Sequence, residues 1–141
     1  MNYKLITFLA LALLASCNNK VERQSIKERA EQGDADAQCN LGVMYANGEG
    51  VPEDDAEAVK WFRKAAEQGH ADAQYNLGIM YAKGEGVPED NVLAYMWLNI
   101  SAASGDVEAK NGKEVVSRAM TREQIAEAQK LSREWKPRRS R

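Results

Sequence analysis

From about residue 25 onward, apolar positions recur at the three-and-four spacing of amphipathic helices, in blocks separated by glycine-rich polar turns. In one block, from Ala71 to Lys83, Ala73, Leu77, Met80 and Tyr81 share a face. Gly84-Glu85-Gly86-Val87-Pro88 then ends that helix, because Gly84 suits a left-handed cap and Pro88 cannot continue the preceding turn. Glu89 and Asp90 supply an N-cap and favourable negative charge for a second helix. Its inward stripe is Ala94, Trp97, Leu98, Ser101 and Ala102, and Gly105 punctuates its end. The same order comes earlier in the chain: Ala37, Leu41, Gly42, Met44 and Tyr45, then Gly48 to Pro52, then Ala58, Trp61, Phe62, Ala65 and Ala66, then Gly69.

The two blocks are one stretch written twice. Gln32–Glu67 laid over Gln68–Ala103 at a period of 36 gives 22 identical positions out of 36. A repeat of that length is a supersecondary unit that buries its apolar face only against a neighbour. The expected fold class is therefore all-α: an α/α helical-repeat solenoid of antiparallel helix pairs. Nine of the ten glycines fall in equivalent slots, Gly112 being the exception. Gly42 and Gly78 lie inside helices, where glycine costs about 1 kcal/mol against alanine, so a close helix approach is expected at each.

The ends of the array depart from the pattern. Ser25–Gln32 mirrors the close of a second helix and reads as a leading helical piece. After Gly105, Lys113 and Glu114 stand where Leu-Gly is expected, yet Ala109, Val116 and Met120 keep roughly helical spacing. Thr121-Arg122-Glu123-Gln124 has the form of a capping box, opening a last helix with Ile125, Ala128, Leu131 and Trp135 in its stripe. Trp61, Trp97 and Trp135 are expected to anchor successive layers from the second-helix position. Pro137 stops the helix, leaving a frayed basic tail with Arg138, Arg139 and Arg141. The chain thus divides into a leader (1–16), a polar tether (17–24), a repeat region (25–105), a terminal helix pair (106–136) and the tail (137–141).

The pattern A-x-x-x-L-G-x-x-Y-x-x-G-x-G-V-x-x-D, followed by A-x-x-W-(F/L) and A-A-x-x-G, resembles the Sel-one-like repeat, a relative of the tetratricopeptide repeat, over Gln32–Gly105. The resemblance implies a tetratricopeptide-like superhelix in which the side of each first helix turned away from the core lines a concave groove. On that side lie Asp36, Cys39, Asn40, Val43 and Asn47, then Asp72, Tyr75, Asn76, Ile79 and Lys83, with Glu108 and Asn111 extending the surface into the third layer. Asn40 and Asn76 are suited to hydrogen-bond the backbone of an extended peptide, with Tyr75 and Ile79 giving apolar contact. The implied role is binding of a protein or peptide partner. The competing reading of this surface is a merely solvated face.

The first segment carries an address. Lys4 precedes an apolar run from Leu5 to Ala15, too short for the roughly 20 residues that span a bilayer and of the size of a secretory signal core. Leu14-Ala15-Ser16-Cys17 resembles the lipobox of bacterial lipoproteins, implying cleavage before Cys17 and lipidation of its thiol. Asn18, not Asp, follows, which by the enterobacterial sorting rule implies an outer-membrane destination facing the periplasm.

Composition narrows the chemistry. Of 141 residues, 44% are hydrophobic and 28% charged, which fits a globular chain, and a net charge of −2 gives no basic field for nucleic acid. His70 is the single histidine, and its repeat equivalents are Asp34 and Asp106, so it reads as a helix cap and not as a catalytic base. Two cysteines and one histidine build no metal cluster, and no cofactor is implied. Cysteine-rich members of the family are described as β-lactam-binding or β-lactamase proteins. This chain lacks their paired cysteines and any Ser-x-x-Lys, so no catalytic residue is assigned. Peptidoglycan-active, immunity-like and purely structural envelope roles are the competing classes.

Overall fold

The computed structural model of this protein describes residues 21–138. All of its regular structure is helical: α1 (residues 21–31), α2 (Ala35–Asn47), α3 (Asp55–Glu67), α4 (Ala71–Lys83), α5 (Asn91–Ala103), α6 (Val107–Ser117) and α7 (Arg122–Glu134). Pairs α2/α3 and α4/α5 are the two copies of the repeat, and α6 and α7 both pack on α5 to close the solenoid.

Helix starts follow from capping chemistry. The side chains of Asp34, Asp54, Asp90 and Asp106 each accept from a backbone N–H three residues on, and His70 Nδ1 does the same for Ala73 N at 3.3 Å. Thr121 and Gln124 form the expected reciprocal capping box. Gly48 and Gly84 end α2 and α4 in the left-handed conformation, at φ 67° and 70°.

The close approaches expected at the helical glycines are present. A Cβ on Gly42 would fall 2.7 Å from the Phe62 ring, and one on Gly78 would fall 2.8 Å from Leu98 Cγ. Gly112, the glycine outside the repeat register, also serves packing: a Cβ there would sit 3.4 Å from Leu98 and 3.7 Å from Ile79. Successive layers are registered by polar side chains as well. Gln38 Nε2 donates to Ala30 O at 3.0 Å, and 36 residues later Gln74 Nε2 donates to Ala66 O at 3.1 Å.

Three expectations about the ends need correction. Helix is already present at residue 21, so residues 21–24 belong to α1 and not to a tether; Arg23 reaches from it to Gly50 O. Trp135 does not repeat the layer position of Trp61 and Trp97. It follows the last turn of α7 and meets Trp97 edge-on, with ring centroids 5.9 Å apart. Pro137 and Arg138 are docked, not frayed: Arg138 N donates to Glu67 O at 2.7 Å, its guanidinium pairs with Glu67, and Pro137 lies against Gly69. The leader, Cys17 and Arg139 to Arg141 lie outside the described residues.

Candidate functional site

A groove of about 330 Å³ opens between the two first helices of the repeat. Helix α2 contributes Val43, Ala46 and Asn47; α4 contributes Asn76, Ile79, Met80 and Lys83; Asp55 and Phe62 of α3 and Glu85 of the following turn complete the lining. Helical periodicity explains the grouping, since 43 and 47, and 76, 79 and 83, are spaced by three and four residues. Five of the residues expected on the groove are thus brought together: Val43, Asn47, Asn76, Ile79 and Lys83.

Their surroundings differ. Val43 and Ile79 are half-buried against the core and present apolar surface. Asn47 donates to Glu49 Oε1 at 3.2 Å, and Lys83 lies 3.5 Å from Glu85, so the edge of the groove formed by the C-terminal ends of α2 and α4 is polar and partly engaged. Asn76 is half-buried, and its amide makes no hydrogen bond among the described residues. It offers both donor and acceptor capacity to the groove.

The other expected residues lie around this concavity or away from it. Asp36, Asn40 and Asp72 are exposed on the earlier turns of α2 and α4, and Tyr75 is half-buried against the core. Glu108 and Asn111 are exposed on α6 and do not line the groove. Cys39 requires a correction: it is 6% exposed and belongs to the core cluster, so it is not a groove contact. Burial, aided by the negative charges of Asp72 and Asp36, pushes its thiol up to about 11 from 9.0.

Asp55, Phe62 and Glu85 were not legible as groove residues. Phe62 reads as a core position and is buried, yet its ring forms part of the floor because Gly42 lets α3 come so close. The helical Gly42 was the one available signal. Among the described residues no cluster of three or more His, Cys, Asp or Glu can hold a metal ion. His70 is occupied as a cap, its Nε2 lying 3.2 Å from Asp36 Oδ1. No helix among these residues is long and apolar enough to cross a membrane.

Similarity to known proteins agrees with this architecture. The Sel1 repeat model matches residues 35–70 and 71–106. A protective antigen present in uropathogenic Escherichia coli strains, displaying an SLR fold, superposes with a TM-score of 0.77 at 33% identity, over 80% of this chain and 24% of the antigen. A Sel1 repeat protein from Oxalobacter formigenes superposes with a TM-score of 0.65 at 39% identity, over 67% of this chain and 39% of that protein. The secretory immunoglobulin A-binding protein EsiB of Escherichia coli O6:H1 is 39% identical over 56 residues, 40% of this chain and 11% of EsiB. This chain therefore spans less than half the length of each of these relatives. With two matched repeats covering half of its length, the chain belongs to the Sel1 repeat family.

Proposed function

We infer that this protein is an envelope-anchored interaction module that holds a protein or peptide segment in the groove between α2 and α4, without catalysis. The carrying observation is Asn76, whose unengaged amide lines the same groove as the apolar Val43 and Ile79. An extended segment is a fitting occupant: its backbone would pair with the amide while an alternate side chain enters the apolar part. Asn47 and Lys83, at the C-terminal ends of α2 and α4, then give the segment a polar edge to meet. The name of the immunoglobulin A-binding relative supports a protein partner. Anchoring rests on the lipobox-like residues ending at Cys17 and on the outer-membrane sorting signal at Asn18.

A photo-crosslinker at Ile79, with Tyr75 and Glu108 as controls on and beyond the rim, tests the groove. Recovery of one defined partner from Ile79, lost in Asn76→Ala, is the expected result. Equal recovery from all three sites overturns the assignment. Anchoring is tested by palmitate labelling, which should appear in the native chain and vanish in Cys17→Ala. Turnover of a chromogenic β-lactam or of muropeptides by the purified protein would replace binding with chemistry.

A further inference from the structure

The two repeat layers differ at one partly buried polar junction. In the first, Gln68 Nε2 donates to Gly33 O at 3.0 Å and to Gln38 Oε1 at 2.8 Å, so a primary carboxamide satisfies both acceptors. Thirty-six residues further on, the same three positions are Ser104, Gly69 and Gln74. Gln74 is anchored as Gln38 is, through its Nε2 to the carbonyl of the preceding layer. The shorter Ser104 supplies no counterpart of the Gln68 amide, and Gln74 Oε1 is left buried without a hydrogen-bond partner, in a residue only 1% exposed. Gly69, Gln74 and Ser104 all line one cavity of about 400 Å³, with Ile100, Trp135 and Pro137 among its apolar walls.

We propose that this cavity is a receptor site for a primary carboxamide on a short apolar stem, the glutamine side chain. Its NH2 group would donate to Gly69 O and Gln74 Oε1, reproducing from outside the bonds that Gln68 makes within the chain. The methylene stem would lie against Trp135 and Ile100. The volume is within the range of small-molecule sites. Glutamate has the same shape, but its carboxylate only accepts and at Gly69 O and Gln74 Oε1 would face two acceptor oxygens, against which the Arg133 guanidinium in the lining is the opposing attraction that the glutamate titration weighs. Methionine has the length without the donor. The site lies at the α5–α7 end of the array and shares no lining residue with the groove between α2 and α4.

The test is a titration of the isotope-labelled protein followed by amide NMR, using free glutamine, N-acetylglutamine N-methylamide, glutamate and methionine. Saturable shifts at the Gln74 side-chain amide and at Gly69 are expected with a glutamine probe, and at least about tenfold weaker binding with glutamate and methionine. Response to free glutamine alone assigns the site to a metabolite; response to the capped form assigns it to a glutamine in a partner chain. Ser104→Gln should fill the cavity from within, abolish binding and raise Tm. Equal shifts with glutamate or methionine, no shift with either glutamine probe, or intact binding in Ser104→Gln overturns the proposal. The glutamine–glutamate contrast in the native protein decides the matter if that variant folds poorly.

Discussion

Gly42 lies beneath the ring of Phe62 so closely that a methyl group on its α-carbon would stand 2.7 Å from two ring carbons. The pair joins α2 to α3 and places Phe62 in the floor of the groove. Gly42→Ala should gain about 1 kcal/mol of helix propensity and lose about 1–3 kcal/mol to overpacking, for a net loss of roughly 1 kcal/mol. Urea unfolding checks the sign. Adding Phe62→Leu should recover part of the loss, whereas a raised midpoint for Gly42→Ala alone would contradict the packing account.

The turn of the second copy rests on the start of α3. Gly86 has φ +67°, and a Cβ there would collide with Asp55 O, which is backbone and cannot rotate away. Gly105, at φ +95°, faces open space. Alanine at Gly105 should therefore cost only the left-handed conformation, about 1–2 kcal/mol, and alanine at Gly86 at least roughly twice that. Thermal unfolding of the two variants side by side separates strain from collision. Equal losses would mean that the contact with Asp55 carries no energy.

Cys39 should behave as an inert core thiol. Its pKa of about 11 lies above the ordinary 9.0, so the folded state retains the proton longer than the unfolded one. The resulting stability is fully present below pH 9 and is lost as pH rises toward 11, by about 1.4 kcal/mol per unit of pKa difference. In a Cys17→Ala background, alkylation at pH 8 should proceed at the rate of opening, and Cys39→Ala should flatten the alkaline fall in stability. Rapid native-state alkylation would contradict the buried placement.

Trp135 fastens the end of α7 by its edge-on contact with Trp97. Trp135→Ala should cost about 2 kcal/mol, less than a fully buried tryptophan, because the ring is only half-buried. Hydrogen exchange should quicken in α7 and at Arg138 N, whose bond to Glu67 depends on the same docked segment, while α2 keeps its protection. Uniform loss of protection would instead mean that the array unfolds as a single unit.

The amino-acid sequence by itself determined the helices of the repeat and their stacking, with the start of α1 the boundary it missed. Those features are written locally: cap residues at Asp34, Asp54 and Thr121, left-handed glycines at Gly48 and Gly84, and an apolar stripe repeated every 36 residues. Helical spacing grouped Val43 with Asn47 and Asn76 with Ile79 and Lys83, and the family resemblance joined the two sets, among twelve expected residues, into the groove that these five line. Only the tertiary structure decided that Cys39 on the same side turns inward, that Phe62 enters the groove floor, that Trp135 folds back on Trp97, and that Ser104 leaves Gln74 without its amide partner. Each of these depends on the distance between elements far apart in the chain, and periodicity within a single helix does not encode how closely another helix approaches it.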